Sequence, residues 1–104
     1  MIFTLAKTKD YIPPMYLNEA EPVVFTLKCM TSKEAVEYIE GEEKSNEAIL
    51  KKGVISIRGA YAEDGTLIDT VDKFLELSGQ FQAVNEVAKE ILKLGGLLVE
   101  TKNA

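Results

Sequence analysis

The sequence predicts an α+β fold, an N-terminal β-hairpin followed by three or four packed helices, with helix predominating. Three observations carry this. VVFTLKCM at residues 23–30 alternates apolar and polar side chains as a half-buried strand does. Thr31-Ser32-Lys33-Glu34 then has the form of a helix capping box. The stretch from Phe81 to Leu92 repeats apolar residues at helical spacing.

Length and composition set the frame. A chain of 104 residues has room for one core, so residues 1–104 read as a single domain. Its parts are a hairpin region at 1–30, a helical region at 31–96 and a tail at 97–104. With 46% hydrophobic and 28% charged residues, the chain lies well inside the range of folding sequences.

Along the chain, Ile2 to Leu5 is apolar, and three prolines, Pro13, Pro14 and Pro22, preclude a regular helix in the segment they punctuate. Strand 23–30 places Val23, Phe25, Leu27 and Cys29 on one face and Thr26 and Lys28 on the other. Ile2 to Leu5 is its expected partner, because a lone strand leaves backbone donors and acceptors unsatisfied. The alternation also predicts a buried, inert Cys29 thiol.

The helix begun at Thr31 has Ala35, Val36 and Ile39 as its apolar face and ends at Gly41. Between Asn46 and Tyr61 two periods compete. Leu50, Val54, Ile57 and Tyr61 fall at helical spacing, whereas Ile55-Ser56-Ile57-Arg58 alternates as a strand. The Glu47 to Lys51 pair favours a helix from Asn46 to about Ile57, with Gly53 arguing against its continuity.

Asp64-Gly65 marks a turn, after which Asp69 or Thr70 caps a short helix bearing Val71, Phe74, Leu75 and Leu77. Ser78-Gly79 breaks it. The last helix gathers Phe81, Val84, Val87, Ala88, Ile91 and Leu92 on one face and stops at Gly95-Gly96. Beyond it lies the apolar tail Leu97-Leu98-Val99.

Several function classes are disfavoured by residues that are scarce or missing. The formal charge is -5 and Arg58 is the only arginine, so there is no basic stripe for nucleic acid. No histidine is present and Cys29 is the single cysteine, which removes zinc sites and histidine-assisted nucleophiles. If Gly65 were the sixth position of a calcium loop, Ala60, Ala62 and Val71 would have to supply side-chain oxygens, and they have none. Glu34, Glu37, Glu40, Glu42, Glu43 and Glu47 read as a solvated face rather than an acid-base pair.

No signal peptide or membrane span is expected, which predicts a cytoplasmic location. No catalytic or cofactor-binding residue is expected either. The expected activity is protein binding through Phe81, Val84, Val87, Ile91, Leu92, Leu97, Leu98 and Val99.

The stretch LIDTVDKFLELSGQFQAVNEVAKEILKLGGL, the extended segment running from Pro22 into the capped helix at Glu34, and the Asp64-Gly65 turn together resemble the small tail assembly chaperones of long-tailed bacteriophages and prophages. The likeness spans most of residues 20–98. It departs from that pattern in lacking a tryptophan near Ser56 to Gly59.

The resemblance implies a protein of the bacterial host cytoplasm that coats the tape-measure protein, recruits tail-tube subunits and leaves before the virion is finished. Homo-oligomerisation is open. Members of that family are often made in two forms by a ribosomal frameshift, and Thr101-Lys102-Asn103 can be encoded as ACA AAA AAC, which contains a slippery heptamer. Two alternatives compete with this function. One is a structural tail or head-tail joining protein. The other is an acidic inhibitor or antitoxin acting through Glu34 to Glu47.

Overall fold

The computed structural model describes residues 8–41 and 45–95. In chain order these form β1 (Thr8–Tyr11), a 3₁₀ turn (Pro14–Tyr16), β2 (Val24–Lys28), α1 (Ser32–Glu40), α2 (Asn46–Gly53), β3 (Val54–Arg58), α3 (Val71–Leu77) and α4 (Phe81–Leu94). The fold is α+β with helix predominating, as the sequence predicts. The three strands make one antiparallel sheet in the order β1-β2-β3.

β2 is the centre of the sheet because its alternation works on both sides. Phe25 and Leu27 are fully buried beneath the helices, while Thr26 points to the open face. There Thr26 Oγ1 donates to Asp10 Oδ1 at 2.8 Å and Arg58 Nη2 donates to Asp10 Oδ2 at 3.1 Å, so a polar ladder crosses all three strands. One face packed and one face wet is the usual arrangement of an antiparallel sheet.

The core joins Phe25, Leu27 and Ile57 of the sheet to Ile49 and Leu50 of α2, Phe74 of α3, and Ala83, Val87 and Ile91 of α4. Phe25 and Phe74 meet edge to face, with centroids 5.1 Å apart and planes at 89°. That geometry sets the positive edge of one ring against the negative face of the other.

Local signals set several boundaries as expected. Thr31 Oγ1 accepts from Glu34 N at 3.2 Å, and Glu34 Oε1 accepts from Thr31 N at 2.9 Å, completing the capping box of α1. Thr70, rather than Asp69, caps α3 by accepting from Lys73 N. Gly79, at φ +62°, ends α3 and turns the chain into α4.

The structure corrects other expectations. β2 pairs with Thr8–Tyr11, and the proposed partner Ile2 to Leu5 lies outside the described residues. The expected helix from Asn46 to Ile57 ends at Gly53, and Val54–Arg58 is a strand paired with β2, so the region 31–96 is not all helical. Ile57 shares helical spacing with Leu50, yet it reaches the core from the sheet, opposite Phe25.

On α1, Val36 and Ile39 face solvent at 50% and 51% exposure, while Ala35 and Tyr38 turn inward. α1 holds no buried residue, so its apolar face is only grazed by the core. Cys29 is half-buried rather than buried, since the strand ends one residue before it. Among the described residues no helix is long and apolar enough to cross a membrane.

Candidate protein-binding surface

A cleft of about 760 Å³ opens where the chain leaves β3. Gly59 makes it possible. Its φ of +81° is left-handed backbone, and a Cβ there would stand 2.7 Å from the Pro22 carbonyl oxygen. Only glycine lets residues 59–64 run that close to residues 22–23. The Asp64-Gly65 turn then sends the chain back, with Asp64 Oδ1 accepting from Thr66 N at 2.9 Å and Tyr61 bridging Leu67.

The floor of the cleft is apolar, built from Val23, Ala60, Ile68 and Phe74. Its rim carries Glu19 and Glu21 on one side and Glu63 and Asp64 on the other, with Tyr16 and Tyr61 also lining it. Tyr16 donates its hydroxyl to Gln80 Oε1 at 3.0 Å, tying the 3₁₀ turn to the α3–α4 corner. Burial raises the Tyr16 pKa above its ordinary 10.0. The hydrogen bonds from Thr66 hold the Asp64 carboxyl below its ordinary range.

A second, more apolar groove of about 410 Å³ lies on the other side of the same corner, lined by Leu75, Phe81 and Val84 with Asn46 and Glu47 of α2. Ser78 and Gln80 line both depressions. Leu77 at the cleft is 48% exposed, and Phe81 at the groove is 73% exposed. A phenylalanine so open to water is the largest uncovered apolar side chain on this corner.

The expected binding residues divide three ways. Val87 and Ile91 are fully buried and Val84 nearly so, which makes them core in this fold; Leu92 is half-buried against that core. Phe81 alone of the α4 face stands out, because it is the first residue of the helix and lies beyond the layer that Ala83 and Val87 fill. Leu97, Leu98 and Val99 lie outside the described residues.

The acidic run on α1 and α2 is largely absorbed by local pairs. Glu34 lies 3.6 Å from Lys28, Glu37 3.8 Å from Lys52, and Glu47 3.1 Å from Lys51. Glu42 and Glu43 lie outside the described residues. Among the described residues no group of three His, Cys, Asp or Glu side chains is placed to hold a metal ion.

Sequence reasoning missed the cleft. Glu19 and Glu21 follow a diproline turn, and Glu63 and Asp64 precede a glycine, so each pair reads as an ordinary solvated loop. Only the close approach at Gly59 brings the two together. No protein-family model, curated protein or solved structure matches the chain at a significant level.

Proposed function

We propose that the protein is a non-enzymatic tail assembly chaperone of a long-tailed bacteriophage or prophage, acting in the host cytoplasm on the tape-measure protein and tail-tube subunits. One observation carries the reading. The stretch with the strongest resemblance to that family includes the α3–α4 corner, residues 71–94, on which Leu77 and Phe81 are exposed beside an apolar groove.

A tape-measure protein is long and helical, and its apolar faces need cover until the tube forms around it. An exposed aromatic beside a shallow groove is suited to that work, since helix-in-groove contacts are anchored by a few large apolar side chains. A corner with only Phe81 and Leu77 uncovered also favours contacts that can be released, as a chaperone that leaves requires.

The test is co-expression of the tagged chain with the long reading frame expected downstream of its gene, followed by mass spectrometry of purified virions. Retention of the tape-measure protein by the chain, its loss in F81E, and absence of the chain from virions are the expected results. Abundant chain in finished virions would instead favour the structural-protein alternative.

A further inference from the structure

We propose that the 760 Å³ cleft seats a cationic, amphipathic segment of the partner protein, lysine or arginine side chains meeting the rim and apolar ones the floor. This deepens the reading above by naming the chemistry of the segment that the chaperone would hold.

The occupant follows from charge complementarity. Several carboxylates elsewhere on the surface stand beside cations, Asp10 with Arg58, Glu47 with Lys51 and Glu90 with Lys9, while Glu40 and Glu76 stand singly among the described residues. Glu19, Glu21, Glu63 and Asp64 have no such partner among the described residues, and no lysine or arginine lines the cleft. What the four share is a place on one cleft that no cation lines, so the negative potential there is open to a cationic partner.

The remaining lining selects a protein segment over a free ion. Tyr16 and Tyr61 add aromatic surface, which attracts ammonium and guanidinium groups. Below them Val23, Ala60, Ile68 and Phe74 offer apolar contact that a hydrated ion cannot use. A lysine or arginine places its charge at the rim and its methylene stem against such a floor. The exposed Leu77 at the cleft and Phe81 beyond Ser78 and Gln80 continue the apolar track for the neighbouring residues of the same segment.

The test titrates the whole chain with a synthetic amphipathic leucine-lysine peptide and with its leucine-glutamate counterpart, following backbone amide shifts. Binding of the lysine peptide, with shifts centred on residues 59–64 and 77–81, is expected. Its affinity should fall at least about tenfold in E63K/D64K and in E19K/E21K. It should also weaken steeply as salt rises to about 0.5 M.

The control is E37K/E40K on α1, which changes net charge equally and should retain most of the affinity. An equal loss there would show that net charge alone attracts the peptide and would overturn the proposal, as would equal binding of the glutamate peptide. Should E63K/D64K still hold the tape-measure protein while F81E loses it, this inference fails and the chaperone reading stands. If the unaltered chain holds no tape-measure protein, the chaperone reading fails and the peptide titration still decides the cleft.

Discussion

Gly53, the last residue of α2, lies so close to Ile91 of α4 that a Cβ on it would come within 2.5 Å of the Ile91 Cγ2. Both residues are buried, and Ile91 is fully enclosed, so its side chain has nowhere to retreat. The missing side chain sets the distance between the two helices that pack most extensively in the fold. It also marks where helix gives way to β3.

Gly53→Ala should therefore destabilise the protein, although alanine is the better helix former. The propensity gain is at most about 1 kcal/mol, whereas forced overpacking costs typically about 1–3 kcal/mol. Urea unfolding would show a lower midpoint; an unchanged or higher one would mean that α2 and α4 can separate freely.

The capping box gives a pH-dependent prediction. The backbone amide of Thr31, the largest influence, and the nearby Lys28 hold the Glu34 pKa below its ordinary 4.5. A carboxylate whose folded pKa is lowered stabilises the fold above its unfolded pKa, and that contribution is lost as pH falls through the folded value. Glu34→Ala should cost more stability at about pH 7 than at about pH 3, and Thr31→Ala should cost about 1 kcal/mol at neutral pH. Urea titrations at the two pH values measure both, and a Glu34→Ala deficit independent of pH would contradict the role given to its charge.

Tyr11 faces α4 from the edge strand, where burial, and after it the charges of Glu90 and Glu86, push its pKa up to about 12. Spectrophotometric titration should show a phenol ionising near that pH, absent in Y11F. A folded pKa above the unfolded value of 10.0 stabilises the protein below pH 10.0, and the contribution is lost as pH rises towards about 12. Glu90→Gln should lower the ionisation pH only part of the way, because burial remains.

Phe81 and Ile91 share one helix and one sequence period, yet the structure assigns them opposite roles. Ile91→Ala removes a fully buried side chain and should cost about 2–5 kcal/mol. Phe81→Ala touches a residue 73% exposed and should change stability by no more than about 0.5 kcal/mol. Thermal unfolding of the two variants separates core from surface, and comparable losses would place Phe81 in the core.

The contrast shows what a sequence carries. Hydroxyl-to-carboxylate spacing announced the α1 cap, since that geometry is local, and the period of α4 announced an apolar face. Period alone does not say whether such a face meets the rest of the chain or another protein. Here Val84, Val87 and Ile91 met the core, and Phe81 escaped by standing at the first turn. At Val54 to Ile57 two periods coincide, and β2 decided between them by offering a pairing partner that no local signal shows. The cleft was the least legible feature, because Glu19 and Glu63 come to line one depression only through the fit of Gly59 against Pro22.

The central claim is that the α3–α4 corner and the cleft beside it hold a partner protein. Hydrogen exchange of the chain, free and bound to the tape-measure protein, tests it most directly. Slowed exchange at residues 59–64 and 77–81, with α1 unchanged, is the predicted result. Protection confined to α1 and its exposed Val36 and Ile39 would contradict it.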